Sequence, residues 1–166
     1  MESSALDPTK LSRSEIVGMI AAAVLVGSLF LEWFSLGTEN VVRGDDEGAW
    51  VCGIDENSCT AFDTFPILRW LLIAAAAAPF ILAWIVIRGH ALSWPRGELT
   101  AIVGLTAFVL IAYNGFVDRP SEKDIEVGLS YGFFLGLLAA IGIFIAGGSR
   151  TLESGGGAPR RPPATF

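Results

Sequence analysis

One histidine, two cysteines and a 17% share of charged residues leave this 166-residue chain poorly supplied for chemistry in water. Soluble domains carry roughly 25% charged residues. A lone histidine, His90, has no second imidazole with which to share a metal, and two thiolates are too few for a structural zinc. There is no phosphate-cradling glycine loop, no zinc-protease pattern and no Ser/His/Asp set. No basic, aromatic-studded surface is available for nucleic acid. The acidic run "GDDEG", with Asp55 and Glu56 nearby, lacks the alternating spacing of a calcium loop and reads as a solvated loop. No cofactor, no metal and no enzymatic activity are expected, because no residue set supplies nucleophile, base and oxyanion donor together.

What the chain has in abundance is apolar residues, 52% of the total, at a mean hydropathy of +0.57. They arrive in blocks rather than at helical or strand periodicity, so a water-soluble core is not indicated. Four blocks approach the roughly 20 residues needed to cross a bilayer at 1.5 Å per residue. They cover about residues 16–36, 66–87, 99–117 and 127–146. The first is longer than a typical signal-peptide core and no A-x-A site follows it, so it reads as a retained first span.

Basic residues are sorted by side. Lys10 and Arg13, Arg88 and Arg96, and Arg150, Arg160 and Arg161 make seven of the eleven, all on one side of the four blocks. Positive residues stay in the cytoplasm, which predicts a multi-pass plasma-membrane protein with both termini cytoplasmic and the 37–65 and 118–126 loops outside. The expected fold is all-α: a four-transmembrane-helix bundle over 16–148, between an N-terminal tail (1–15) and a disordered, Gly/Pro/Ser-rich C-terminal tail (149–166).

Local signals refine this. In "SRSEIVG", Ser12 or Ser14 can cap the first helix, with Glu15 beside its positive end. Pro66 suits a first helical position. Pro79, after the alanines of Ala74–Ala78, removes a backbone donor and should kink the second span. That kink serves close packing or a transport path, the first being favoured. Ser121 and Asp124 resemble a capping box for the fourth helix. In the outer loop, "NVVRGDDEGAWVC" has β-prone runs about a turn, predicting a short β-hairpin.

Three features carry the functional expectation. Glu32, in "LFLEWFSL", is an acid inside an apolar block, where a charge is usually partnered or exposed to a cavity. Arg69 lies at a similar depth on the next span, so the two are expected to pair, or to reach the interface separately. Cys52 and Cys59 face the oxidising side, where a structural disulfide is expected ahead of free thiols or a redox pair. Gly128, Gly132 and Gly136, with Ala140, form a row of small residues at a spacing of four, a face for close helix association.

The outer segment "EGAWVCGIDENSCTAFD", preceded by Trp33 and followed by Arg69, resembles the first extracellular segment of claudin-type tetraspan proteins. That resemblance implies a small outer sheet anchored by Trp50 and stapled by Cys52–Cys59, although both intervals are shorter here. Over more of the chain, "TAFDTFPILRWLL", "ALSWPRGELTAIVG" and the Pro-rich basic tail look like small four-span membrane proteins of actinobacteria, whose function is uncharacterised. The functional expectation is a structural, scaffold or accessory-subunit role in the bilayer, with a second copy or another membrane protein as partner. The alternative is a small transporter or channel using Glu32 and Asn114 near Pro79.

Overall fold

The computed structural model describes residues 11–36, 58–88, 96–119 and 127–155. The element order is α1 (Arg13–Ser28), β1 (Glu32–Leu36), β2 (Ser58–Thr60), α2 (Ala61–Thr64), α3 (Leu68–Ile87), α4 (Arg96–Phe116), β3 (Val127–Leu129) and α5 (Tyr131–Gly155). Three helical segments are long and apolar enough to cross a membrane: Leu68–Ile87, Gly97–Phe116 and Tyr131–Leu152.

The first apolar block does not make one long helix. It divides into a 16-residue helix and a strand. At 1.5 Å per residue, α1 measures about 24 Å, short of the roughly 30 Å hydrocarbon layer. The expectation of four equivalent spans is therefore corrected to five helices, three of them of spanning length, among the described residues. The break has a local cause. Ser28 Oγ donates back to Leu25 O at 2.7 Å. Beyond it, the N–H groups of Leu29, Phe30 and Leu31 donate to Val26, Gly27 and Ser28 carbonyls, an i→i+3 pattern that tightens the last turn and releases the chain.

The released segment forms the centre of a three-stranded antiparallel sheet ordered β2-β1-β3. Phe34 faces both Cys59 and Leu129 in register, and the β1–β2 pairing shifts between Glu32 and Phe34. Trp33 is fully buried, and its indole N–H donates to Ser28 O at 2.7 Å, tying the strand to the end of α1. Its ring meets Phe133 edge-on at 5.7 Å, and Phe133 in turn meets Phe116 at 5.5 Å. The expected hairpin, Trp50, Cys52 and the Ser121/Asp124 cap lie outside the described residues.

The helices pack around one core. α1 lies against α5 and α3, α4 lies against α5, and α3 closes against α4. The α4–α5 contact is the tightest because glycine opens it. A Cβ on Gly104 would overlap the Phe144 backbone, and one on Gly147 would overlap Ala101 N. α3 runs unbroken through Pro79, which is buried where α3 faces Gly18 of α1. α5 extends nine residues past the expected end at 146, so Ser149–Gly155 is helix and not tail. At the other end Arg13–Glu15 is likewise helical.

Candidate functional site

At the end of the described bundle opposite the sheet, two charged side chains are buried together. Ser12 caps α1: Glu15 N donates to Ser12 Oγ, and Ser12 N donates to Glu15 Oε2 at 2.8 Å. This reciprocal capping box fixes the Glu15 carboxylate at the mouth of the bundle. The extended α5 brings Arg150 to it, with Nη2 2.6 Å from Oε1. The two side chains are 5% and 17% exposed, which makes the pair a largely desolvated one. Below it, Glu15, Gly18, Pro79, Thr100, Gly147 and Arg150 bound a cavity of about 10 Å³. That is the space of one water molecule. Residues from all four long helices meet there, so the pair clamps α1 to α5.

Sequence reasoning noted Glu15 only as a charge beside a helix terminus and assigned Arg150 to a flexible tail. The serines of "SRSEIVG" did signal a cap, at Ser12 or Ser14, and the structure has it at Ser12. Nothing in the sequence signalled the pairing, which joins positions 135 residues apart (150 minus 15).

The expected Glu32–Arg69 ion pair is not formed among the described residues. Glu32 sits on β1, opposite Thr60, instead of on a helix. Arg69 Nη1 donates to Phe62 O at 3.0 Å, and its guanidinium lies 4.7 Å from the Phe62 ring centre and 5.7 Å from that of Trp70. Its Nε is buried with no partner among the described residues. The physical reason is the early end of α1: the chain turns into the sheet before a second helix face can carry the acid to Arg69. The guanidinium instead fastens α2 to α3.

The small-residue row is consumed within the protomer. Gly128 is in β3, beside Ser35. A Cβ on Gly132 would meet Glu32 O at 2.5 Å, and one on Gly136 would meet Trp33 Cζ2 at 3.0 Å. Ala140 is fully buried. Gly132 and Gly136 thus pack against the end of α1 and β1, while Gly128 stands on a strand and not on the helix.

Glu32, Asn114 and Pro79 are not brought together. Asn114 Nδ2 donates to Leu110 O of its own helix at 2.8 Å. Pro79 lies eleven residues into α3, about 16 Å from its sheet-side end, whereas Asn114 is close to the sheet-side end of α4. Thr106 likewise donates to Ile102 O. Cys59 is buried in β2 and is not a free thiol. Its expected partner Cys52 lies outside the described residues. No group of three or more His, Cys, Asp or Glu able to hold a metal occurs among the described residues.

Comparison with protein-family models, with curated proteins and with solved structures returned no match.

Proposed function

We propose that this chain is a small integral membrane protein with a structural or accessory-subunit role, held in the bilayer as a closed helical bundle capped by an outer sheet. The observation that carries the proposal is where the polar groups of the bundle go. Ser28, Thr106 and Asn114 each bond to a carbonyl of their own helix, and Glu15 bonds to its own cap. The cavity where the four long helices converge has room for one water. Such an interior suits a rigid packing unit better than a path for solute.

The distribution of aromatic side chains supports the bilayer placement. Trp70, Tyr113 and Tyr131 are exposed at the sheet-side ends of α3, α4 and α5, and Trp84 is exposed toward the other end of α3. Amphipathic rings favour the two headgroup levels. Arg13, Arg88, Arg96 and Arg150 belong to the end opposite the sheet, which makes that end cytoplasmic and the sheet extracytoplasmic. In this reading α1, lengthened by Leu29–Leu31, is embedded beside the three longer helices. Cys52 and Cys59 then sit on the oxidising side, where a disulfide would staple the outer loop to β2. The partner is a second copy or another membrane protein, engaged through a surface other than the internal glycine row.

Crosslinking of the chain in native membranes, followed by mild-detergent purification, tests the role. A defined complex supports it. Purified protein that conducts ions or solutes into proteoliposomes would replace it with the transport reading.

A further inference from the structure

Beyond the packing role, one lipid-facing surface has a definite shape. An open groove of about 290 Å³ runs between α1 and α5, lined by Val17, Ile20, Ala21 and Val24 of α1 and by Leu135, Leu138 and Ala139 of α5. Ala139 is buried and Ala21 half-buried, so two alanines form the floor. The branched side chains of Ile20 and Leu138 stand at about 60% exposure as walls. An approaching helix, about 10 Å across with its side chains, needs small residues on the rim to come close. Here the small residues are at the bottom and the bulky ones at the rim. A single hydrocarbon chain is thin enough to enter.

The groove also has a charged end. Positions 13, 17, 20, 21 and 24 follow the i, i+4, i+7, i+8, i+11 spacing, so Arg13 heads the same stripe of α1 that lines the groove. Arg13 is exposed, and no acid pairs with it among the described residues. It stands about 6 Å along the axis from Val17, at the positive end of the α1 dipole. A cation at the mouth of an apolar slot is complementary to a lipid with an anionic head and an acyl tail.

We propose that this groove holds one acyl chain of an anionic phospholipid, with the phosphate at Arg13. The proposal rests on the bilayer placement above. The test is purification from vesicles of equal phosphatidylglycerol and phosphatidylcholine, with native mass spectrometry of the lipid that stays bound. Wild-type protein should retain the anionic lipid about fivefold over the zwitterionic one, the weight of one basic residue beside an anionic headgroup. Arg13→Gln should abolish the preference. Val17→Trp and Leu138→Trp, which put a ring over exposed parts of the groove, should each lower total retention while leaving the Tm unchanged. Equal retention of both lipids by the wild type, or an undiminished preference in Arg13→Gln, overturns the proposal. So does a disulfide-linked dimer formed through Leu138→Cys, which would make a second copy the occupant. Recovery of folded chain from the aqueous fraction after detergent-free lysis would overturn the bilayer placement as well.

Discussion

Removing the charge from Glu15 while keeping its shape separates the cap from the ion pair. In Glu15→Gln the side-chain oxygen still accepts from Ser12 N, so the capping box survives. What is lost is the negative charge 2.6 Å from Arg150 Nη2, at a site where the acid is 5% exposed and the base 17%. Taking one partner from a buried pair generally costs 3–5 kcal/mol, because the burial of the other charge is then less well compensated. The partial exposure of Arg150 puts this case at the low end, about 3 kcal/mol. For a chain of this size that corresponds to a fall in Tm of roughly 6–12 °C. Arg150→Met should cost a similar amount. The double variant Glu15→Gln/Arg150→Met should recover most of the loss, since replacing both charges by neutral groups of similar volume is often close to neutral. The assay is a double-mutant cycle on thermal unfolding in a mild detergent. Additive losses, with a coupling below about 0.5 kcal/mol, would show that the two residues act independently and that the clamp reading is wrong.

Gly104→Val and Gly147→Val force atoms into the α4–α5 backbone contact and should each destabilise by about 3 kcal/mol, visible as a lowered Tm. Gly132→Leu meets Glu32 O and the Trp33 ring, so it should lower folded yield without changing the oligomeric state of the protein that does fold, as read by size-exclusion chromatography with light scattering. Trp33→Phe keeps the ring contact with Phe133 but loses the donor to Ser28 O, for a loss of about 1 kcal/mol on the same unfolding assay. Peptide mapping without reductant should recover Cys52 and Cys59 in one linked peptide, and Cys59→Ser should cost about 2–3 kcal/mol from the short loop then left open.

The limits of sequence reading are clearest around residues 28–36. Hydropathy registers "LFLEWFSL" as part of an apolar block, because Leu, Phe and Trp are as apolar in a strand as in a helix. It does not register which carbonyl each N–H will reach. The helix ends at Ser28 because the succeeding donors bond three residues back and because the next segment pairs between β2 and β3, with Trp33 and Phe34 buried against Phe133 and Phe65. Both strands come from elsewhere in the chain. Glu32 therefore changes from a helical acid to a strand residue, and the pairing expected of it lapses. The same non-local cause hides the real ion pair, since Arg150 reaches Glu15 only through the full length of α5.

Taken alone, the sequence was sufficient for the apolar character of the chain, the approximate places of the three long helices and a serine cap, Ser12 or Ser14, on the first of the helices. Each of these depends on residues within a few turns of one another. The tertiary structure alone decided that the first block is half helix and half strand, that the glycine row meets Trp33 inside the same molecule, and that the buried pair is Glu15 with Arg150. Those outcomes depend on contacts between segments distant in the chain, and local patterning carries no record of which distant surface will arrive.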